Sequence, residues 1–304
     1  MGIGQYIKEI GRGKDGARAL SRAQATDLMG QVLDGTVTDL EIGGFCLAMR
    51  IKGETPEEMA GFLDAVHQRL ALLPASETPV VVLPSYNGAR KLPVLTPLLA
   101  LLLAREGLSV LVHGTPTEST RVFSSEVFLA LGIRAQAATK KIASGEVVFA
   151  PTELLCPALK RLLDVRRLVN LRNPAHSMVK LMNPVDRGTG KALVVSSYTH
   201  PEYAVSMAQT FELVKANAML LRGTEGEGVA DARRMPKMDA FINGQRSLLQ
   251  EAQPGTLATV PHLPKTTDAA STAAYIQSVM AGEQPVPPSI ARQVEHILHL
   301  IPQL

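Results

Sequence analysis

The chain has 304 residues, enough to bury a sizeable core in one large or two modest domains, and its formal charge of +3 is too small to mark a nucleic-acid protein by itself. Two cysteines, Cys46 and Cys156, cannot form a metal cluster and read as buried thiols, and no apolar run reaches membrane-spanning length, so a soluble protein of a reducing cytoplasm is expected. The 4% aromatic content, without tryptophan, argues against recognition by ring platforms under stacked bases.

Residues 1–73 read as helices alone. Ser21 with Gln24, Thr38 with Glu41 and Thr55 with Glu58 are capping boxes, in which a hydroxyl serves the orphan amides and the side chain three residues on reaches back. Each opens an apolar face: Leu28, Met29, Val32 and Leu33; then Ile42, Phe45, Cys46 and Met49; then Met59, Phe62, Leu63, Val66 and Leu70. A short first segment, Tyr6 to Gly13, packs either on this bundle or on a second subunit. Pro74 to Pro79 reads as a linker.

From residue 79 the pattern changes to short apolar runs between helices, which predicts an α/β domain with a mainly parallel sheet. Strands are expected at Val80–Leu83, Leu108–Val112, Val147–Ala150, Leu193–Ser197 and Ala218–Leu221, with helices at Val94–Arg105, Ser124–Leu131 and Pro201–Val214. In the tail, Met238–Ile242 and Leu257–Val260 are strand candidates, and Thr267–Met280 and Ile290–Leu300 are helices.

The charge is concentrated in Pro157 to Lys191. Lys160, Arg161, Arg166, Arg167, Arg172, Lys180, Arg187 and Lys191 stand against Asp164 and Asp186 alone. Leu159, Leu162, Leu163 and Leu168 recur near the helical period and direct the cations to the wet faces. Arg172-Asn173-Pro174 ends that helix, and a second short one, His176 to Met182, stops at Asn183-Pro184. Arg222, Arg233, Arg234 and Lys237 form a second cluster, so two basic walls of a groove are expected, although such runs also serve as solvated helix faces. Gly188-Thr189-Gly190-Lys191 lacks the spacing of a phosphate loop.

His113-Gly114, Ser119, Ser124-Ser125 and Leu131-Gly132-Ile133, in this order, resemble the anthranilate phosphoribosyltransferases and the related pyrimidine nucleoside phosphorylases over nearly the whole chain. The resemblance implies their fold: a small all-α domain at 1–73, joined by a helical excursion near 166–184, and a larger glycosyltransferase-like α/β domain at 79–304. It also shows what has been replaced. The family's Gly-Thr-Gly-Gly-Asp loop falls on Pro84, Ser85, Tyr86, Asn87 and Gly88, where a proline and a tyrosine are expected to remove an amide and fill the donor's space. Its Asn-x-Ser-Thr motif falls on Val94 to Pro97 and leaves Thr96; its Lys-His-Gly-Asn-Arg motif falls on Val112 to Pro116 and leaves His113 and Gly114 without the cations. The magnesium-holding Asp-Glu pair falls on Gly228 and Val229, so no cofactor and no metal are expected, with Glu225 and Glu227 as weak candidates for a hydrated magnesium ion. Asn87, Gly88, Thr96, His113, Gly114 and Ser119 remain as remnants of the phosphate site, and Arg172 matches the arginine that meets the acceptor's carboxylate.

Leu171-Arg172-Asn173, His176-Ser177, Lys180-Leu181 and Arg222 to Glu227 resemble the YbiB type of bacterial relatives. That resemblance implies a homodimer that binds DNA or RNA without marked sequence preference, in agreement with the clustered charge. The alternative is a phosphoribosyl or pentosyl transferase with an unknown acceptor, its donor held by His113, Ser119, Thr96, Glu225 and Glu227.

Overall fold

The computed structural model describes residues 2–13, 15–186, 191–258 and 260–304. Four helices come first: α1 (Gly4–Ile10), α2 (Arg22–Asp34), α3 (Asp39–Lys52) and α4 (Pro56–His67). All three capping boxes form, at Ser21, Thr38 and Thr55. The third does more than cap. Glu58 is fully buried, and its carboxylate accepts from the Thr55 amide (2.9 Å), the Leu20 amide (2.9 Å) and the Lys52 ammonium (2.6 Å), tying α4 to α3 and to the chain entering α2. α1 packs on α3 of its own chain, burying Ile3 and Ile10.

A seven-stranded sheet follows, in the order β3-β2-β1-β4-β5-β6-β7. β1 (Val80–Ser85), β2 (Ser109–Gly114), β3 (Val147–Pro151), β4 (Ala192–Tyr198) and β5 (Ala218–Arg222) are parallel; β6 (Met238–Ile242) and β7 (Gln245–Gln250) continue antiparallel. The strand period of two divides the core. Val80, Val82, Val194 and Leu220 face a cluster shared with α2, α3 and α4, with α8 (Pro157–Val169), α9 (Ala175–Leu181) and α10 (Pro201–Leu213). Val81, Leu83, Val195 and Leu221 face the opposite layer of α5 (Thr96–Arg105), α6 (Ser124–Ala130), α11 (Ala269–Met280) and α12 (Pro288–Leu300). A single turn, α7 (Thr152–Leu155), leads from β3 into α8, and α8 and α9 pack against α2 and α4 respectively. Both cysteines are free and buried.

Three expectations are corrected. Leu257, Ala258 and Val260 lie outside any strand; the strand beside β6 is β7, joined to it by Asn243-Gly244 with φ of 51° and 79°, the left-handed pair of a two-residue hairpin. Its residues are mostly exposed, so no alternating apolar pattern marked it. Leu168 is 83% exposed, because the buried stripe of α8 through Leu159, Leu162 and Leu163 continues three or four residues on and not five.

Removal of Glu58 leaves the buried Leu20 amide without its acceptor and the Lys52 ammonium without its counter-charge. Glu58→Ala is therefore expected to lower stability by about 3 kcal/mol in chemical denaturation, against a small effect for Lys8→Ala on the exposed face of α1.

Candidate functional site

The chain's connections reverse direction between β1 and β4, and a crevice opens outside the carboxyl ends of these strands, where open α/β sheets take their ligands. The segments after β1, β4 and β5 line one side; the end of α3 and residues 172–180 line the other, around an open cleft of about 850 Å³.

Under the cleft, Glu227 is 1% exposed. Its Oε1 accepts from the amides of Asn87 and Gly88, each at 2.8 Å. Its Oε2 accepts from Thr96 Oγ1 at 3.0 Å and from Ser85 Oγ, which also lies 2.7 Å from Ser124 Oγ. Two residues earlier, Glu225 accepts from the amides of Arg90 (3.2 Å), Lys91 (2.8 Å) and Leu92 (3.0 Å). The two loops touch so closely that Gly226, at φ 90°, has no room for a side chain: a Cβ there would stand 1.8 Å from Asn87 Nδ2.

Tyr86 does not fill this nest. Its ring is buried beside His113 with its hydroxyl 2.8 Å from His113 Nδ1, and Thr152 Oγ1 donates to the same hydroxyl at 3.0 Å. β1 ends at Ser85 and the next residue, Tyr86, is directed into the core, so the amides of residues 87 and 88 survive and a carboxylate of the chain itself occupies them. His113 is fully buried, and burial holds its imidazole down at about 3. It is a neutral core histidine. Gly114 approaches β1 so closely that a Cβ would lie 2.0 Å from Ser85 O, whereas Ser119 is exposed on the loop before α6.

Six cationic side chains line the cleft, Arg50, Arg90, Lys91, Arg121, Arg172 and Lys180, against three carboxylates, Glu54, Glu202 and Glu225. Arg121 and Arg166 share Glu118, at 3.4 Å and 2.7 Å, and Arg121 lies 3.6 Å from Glu225. Arg172 has no ion-pair partner among the described residues; burial and the neighbouring Arg166 and Arg121 lower its pKa. Lys180 Nζ donates to Gly226 O at 2.9 Å; burial lowers its pKa to about 8, Glu227 opposing and Arg172 reinforcing the shift. His176 is held at about 3 by burial and by Arg172 and Arg166, with Nε2 unpartnered among the described residues.

Of the basic positions singled out from sequence, Arg172 and Lys180 line the cleft. Lys160 pairs with Asp164, and Arg167 meets Asp164 and Pro116 O. Arg161 is exposed beside Gly35, and Lys191 donates to Leu304 O. Arg233 grips Asp231 in a fork, Lys237 pairs with Asp239 at 3.5 Å, and Arg222 and Arg234 are exposed; none of these four lines the cleft. The second wall expected from them is formed instead by the adjacent Arg90 and Lys91 and by Arg121 from another loop, too few cations in any one stretch to make a charge run. Arg187 lies outside the described residues. Tyr198, His200 and Tyr203 also line the cleft, so three rings stand beside its cations where composition alone gave no reason to expect them.

Residues 4–69 match the helical bundle domain of a glycosyl transferase family. The uncharacterized protein YbiB of Escherichia coli is 40% identical over 300 residues, 97% of this chain and 92% of that one. An anthranilate phosphoribosyltransferase of Methanopyrus kandleri is 31% identical over 63% of this chain and 57% of its own length. The chain belongs to the anthranilate phosphoribosyltransferase-like glycosyl transferases, beside YbiB. Among solved structures, the anthranilate phosphoribosyltransferase of Thermus thermophilus superimposes with a TM-score of 0.73 at 22% identity, over 95% of this chain and 85% of that one. The Saccharomyces cerevisiae enzyme in complex with PRPP and Mg gives 0.71 at 14% identity, over 99% and 88%. These likenesses show the fold.

The family's magnesium does not fit these residues. Gly228 and Val229 offer no side-chain oxygen, and the carboxylates of Glu225 and Glu227 are engaged by amides and hydroxyls of the same chain.

His113 and His176 are neutral when folded and protonate near 6.5 once unfolded, so the unfolded chain binds more protons below that pH. Stability is expected to fall from pH 6.5 toward pH 5, by about 1.4 kcal/mol per unit for each histidine, and to be insensitive to both above 7. His176→Gln should remove about half of this slope in denaturation series across that window.

Proposed function

We propose that the protein binds nucleic acid without marked sequence preference through this cleft. The observation that carries the proposal is the six-cation lining of an open crevice, with Arg172 free of an ion-pair partner among the described residues and Lys180 anchored at its floor. Arginines bridge phosphate oxygens, lysines act as point charges, and affinity comes mainly from counterion release. Among the described residues no recognition helix enters the cleft, so bases are contacted by ring faces: Tyr198, His200 and Tyr203 beside the cations favour single strands, whose bases are free to stack. Against a transferase acting on a phosphoribosyl donor stand Glu227 in the 87–88 nest, the buried His113 and the absent metal ligands at Gly228 and Val229. A cytoplasmic location belongs to the same proposal; among the described residues no helix is long and apolar enough to cross a membrane.

The logarithm of the binding constant for an unstructured oligonucleotide should fall linearly with the logarithm of salt, by about 0.7 per phosphate contacted. Arg172→Ala and Lys91→Ala should each lower that slope by about one contact, while Arg292→Ala, exposed on α12, leaves it unchanged. Tyr203→Ala should weaken single strands by about 1–3 kcal/mol and duplex by less. Because Lys180 loses its charge through about pH 8, affinity should fall between pH 7 and 9, and Lys180→Met should flatten that fall. Equal losses for Arg172→Ala and Arg292→Ala would show the attraction to be diffuse.

We further infer that two copies meet through α3. Leu40, Leu47 and Ile51, at 86%, 50% and 67% exposure, lie on one stripe of this helix, beside a groove of about 240 Å³ lined by Ile7, Ile10, Gly44 and Ala48. The other side of α3 presents Met49 and Arg50 to the cleft, so pairing along the stripe sets two basic clefts on one assembly. Sedimentation at micromolar concentration should give a dimer, and Leu47→Glu with Ile51→Glu a folded monomer.

A further inference from the structure

The carboxylate of Glu118 lies on the loop between β2 and α6, partly buried against α8. Its Oε2 accepts from Arg166 Nη2 at 2.7 Å and lies 3.4 Å from Arg121 Nε, and its Oε1 accepts from Thr120 Oγ1 at 2.8 Å. Arg172 is close enough for Glu118 to support its charge, while burial, Arg166 and Arg121 oppose it. Three guanidinium groups from three segments of the chain therefore face one carboxylate, and their donors outnumber its oxygens. Arg166 Nη1 and Arg121 Nε are buried without a hydrogen-bond partner among the described residues, although buried donors are as a rule paired. The loop does not depend on Glu118 for its place. Thr117 Oγ1 donates to Tyr86 O at 2.9 Å, Arg167 Nη2 donates to Pro116 O at 3.1 Å, and Ala89 and Val122 exchange amide bonds of 2.8 Å and 3.0 Å. With the backbone held on both sides, rotation of one side chain is enough to withdraw the carboxylate.

We propose that Glu118 is an internal competitor of the bound strand: it neutralises Arg121 and Arg166 while the cleft is empty and yields them to a backbone phosphate when the strand enters. The inference rests on the nucleic-acid reading of the cleft and adds the residue that limits how tightly the strand is held. A phosphodiester, like a carboxylate, carries one negative charge on two oxygens that a guanidinium fork takes together, so the exchange replaces like with like. Arg121 already lines the cleft, and a phosphate that reaches it meets the partners of Glu118 next. Two consequences follow from the competition. Part of the strand's attraction goes into displacing Glu118, and arginines neutralised from within hold fewer counterions to release. A cleft relieved of this carboxylate therefore binds tighter and with a steeper dependence on salt.

The experiment is a fluorescence-anisotropy titration of a labelled, unstructured oligonucleotide with the full chain and its variants, from low to moderate salt. Glu118→Gln should bind about fivefold tighter at about 0.1 M salt, with a salt slope steeper by about 0.7, the worth of one further phosphate contact. Glu283→Gln removes the same charge from the exposed turn after α11 and should leave affinity and slope unchanged. Arg166→Ala should weaken the Glu118→Gln chain about threefold more than it weakens the unaltered chain, because in the latter the lost phosphate contact is offset by the loosened hold on Glu118. Thr120→Val, at an exposed position, removes one bond to Glu118 and no charge; it should tighten binding by a smaller factor, and it decides the matter if Glu118→Gln does not fold. The proposal is overturned if Glu118→Gln, or Thr120→Val in its stead, gains nothing. Equal gains for Glu118→Gln and Glu283→Gln overturn it as well, as does a gain that Arg166→Ala leaves intact. Binding by no form of the chain overturns the nucleic-acid reading and this inference together, whereas binding by the unaltered chain that Glu118→Gln does not improve overturns this inference alone.

Discussion

The Glu227 carboxylate, held by two amides and two hydroxyls, joins the loop after β1 to the loop after β5 across the strand β4 that separates them. A buried charge is stable only when its acceptor capacity is used, and here four donors use it. Because the carboxylate fixes residues 85–88, it also fixes Tyr86, whose hydroxyl then completes the His113 and Thr152 contacts beneath the sheet's end. From the same turn, Gly226 O anchors Lys180, and Glu225 meets Arg121. The cations of the cleft floor are thus positioned by a structural anion below them.

This arrangement separates two kinds of positive charge in the molecule. Arg166 and Arg233 lie in short ion pairs with Glu118 and Asp231, and such pairs contribute little field to the solvent. Arg172, Arg90 and Lys91 face the cleft without a carboxylate in ion-pair reach among the described residues, and a crevice with low-dielectric walls focuses their field. Charge counted along the sequence therefore overstates some segments and misses others.

The helical caps, the parallel strands and the division into a helical part and a sheet were legible because each depends on neighbours in sequence. Ser21, Thr38 and Thr55 meet side chains three residues away, and the short β-branched run from Val80 to Leu83 has the pattern of a buried strand. The Asn243-Gly244 hairpin was also present as a turn signal, but β7 carries too few apolar residues for the strand itself to stand out. The site was less legible. Motif comparison showed that the glycine loop had been replaced, yet assigned the loss to Tyr86 filling the cradle, when Tyr86 turns inward and Glu227 takes its amides from some 140 residues away. Contacts of that separation follow from the strand order β1-β4-β5, which no local pattern encodes. Arg90, Lys91 and Arg121 were missed for the same reason: a pair of cations and a lone one become a wall when the loops after β1 and β2 are brought together.

Nucleic acid in this cleft, as proposed, lies against its cations and rings. Ultraviolet crosslinking of a photoreactive single-stranded oligonucleotide to the full chain, with the crosslinked peptides mapped by mass spectrometry, tests it most directly. Crosslinks are expected within the segments bearing Arg50, Lys91, Arg121, Arg172, and Tyr198 to Tyr203, suppressed by excess unlabelled strand. Crosslinks confined to the segment from Arg233 to Lys237, or spread without preference over the surface lysines, would contradict it.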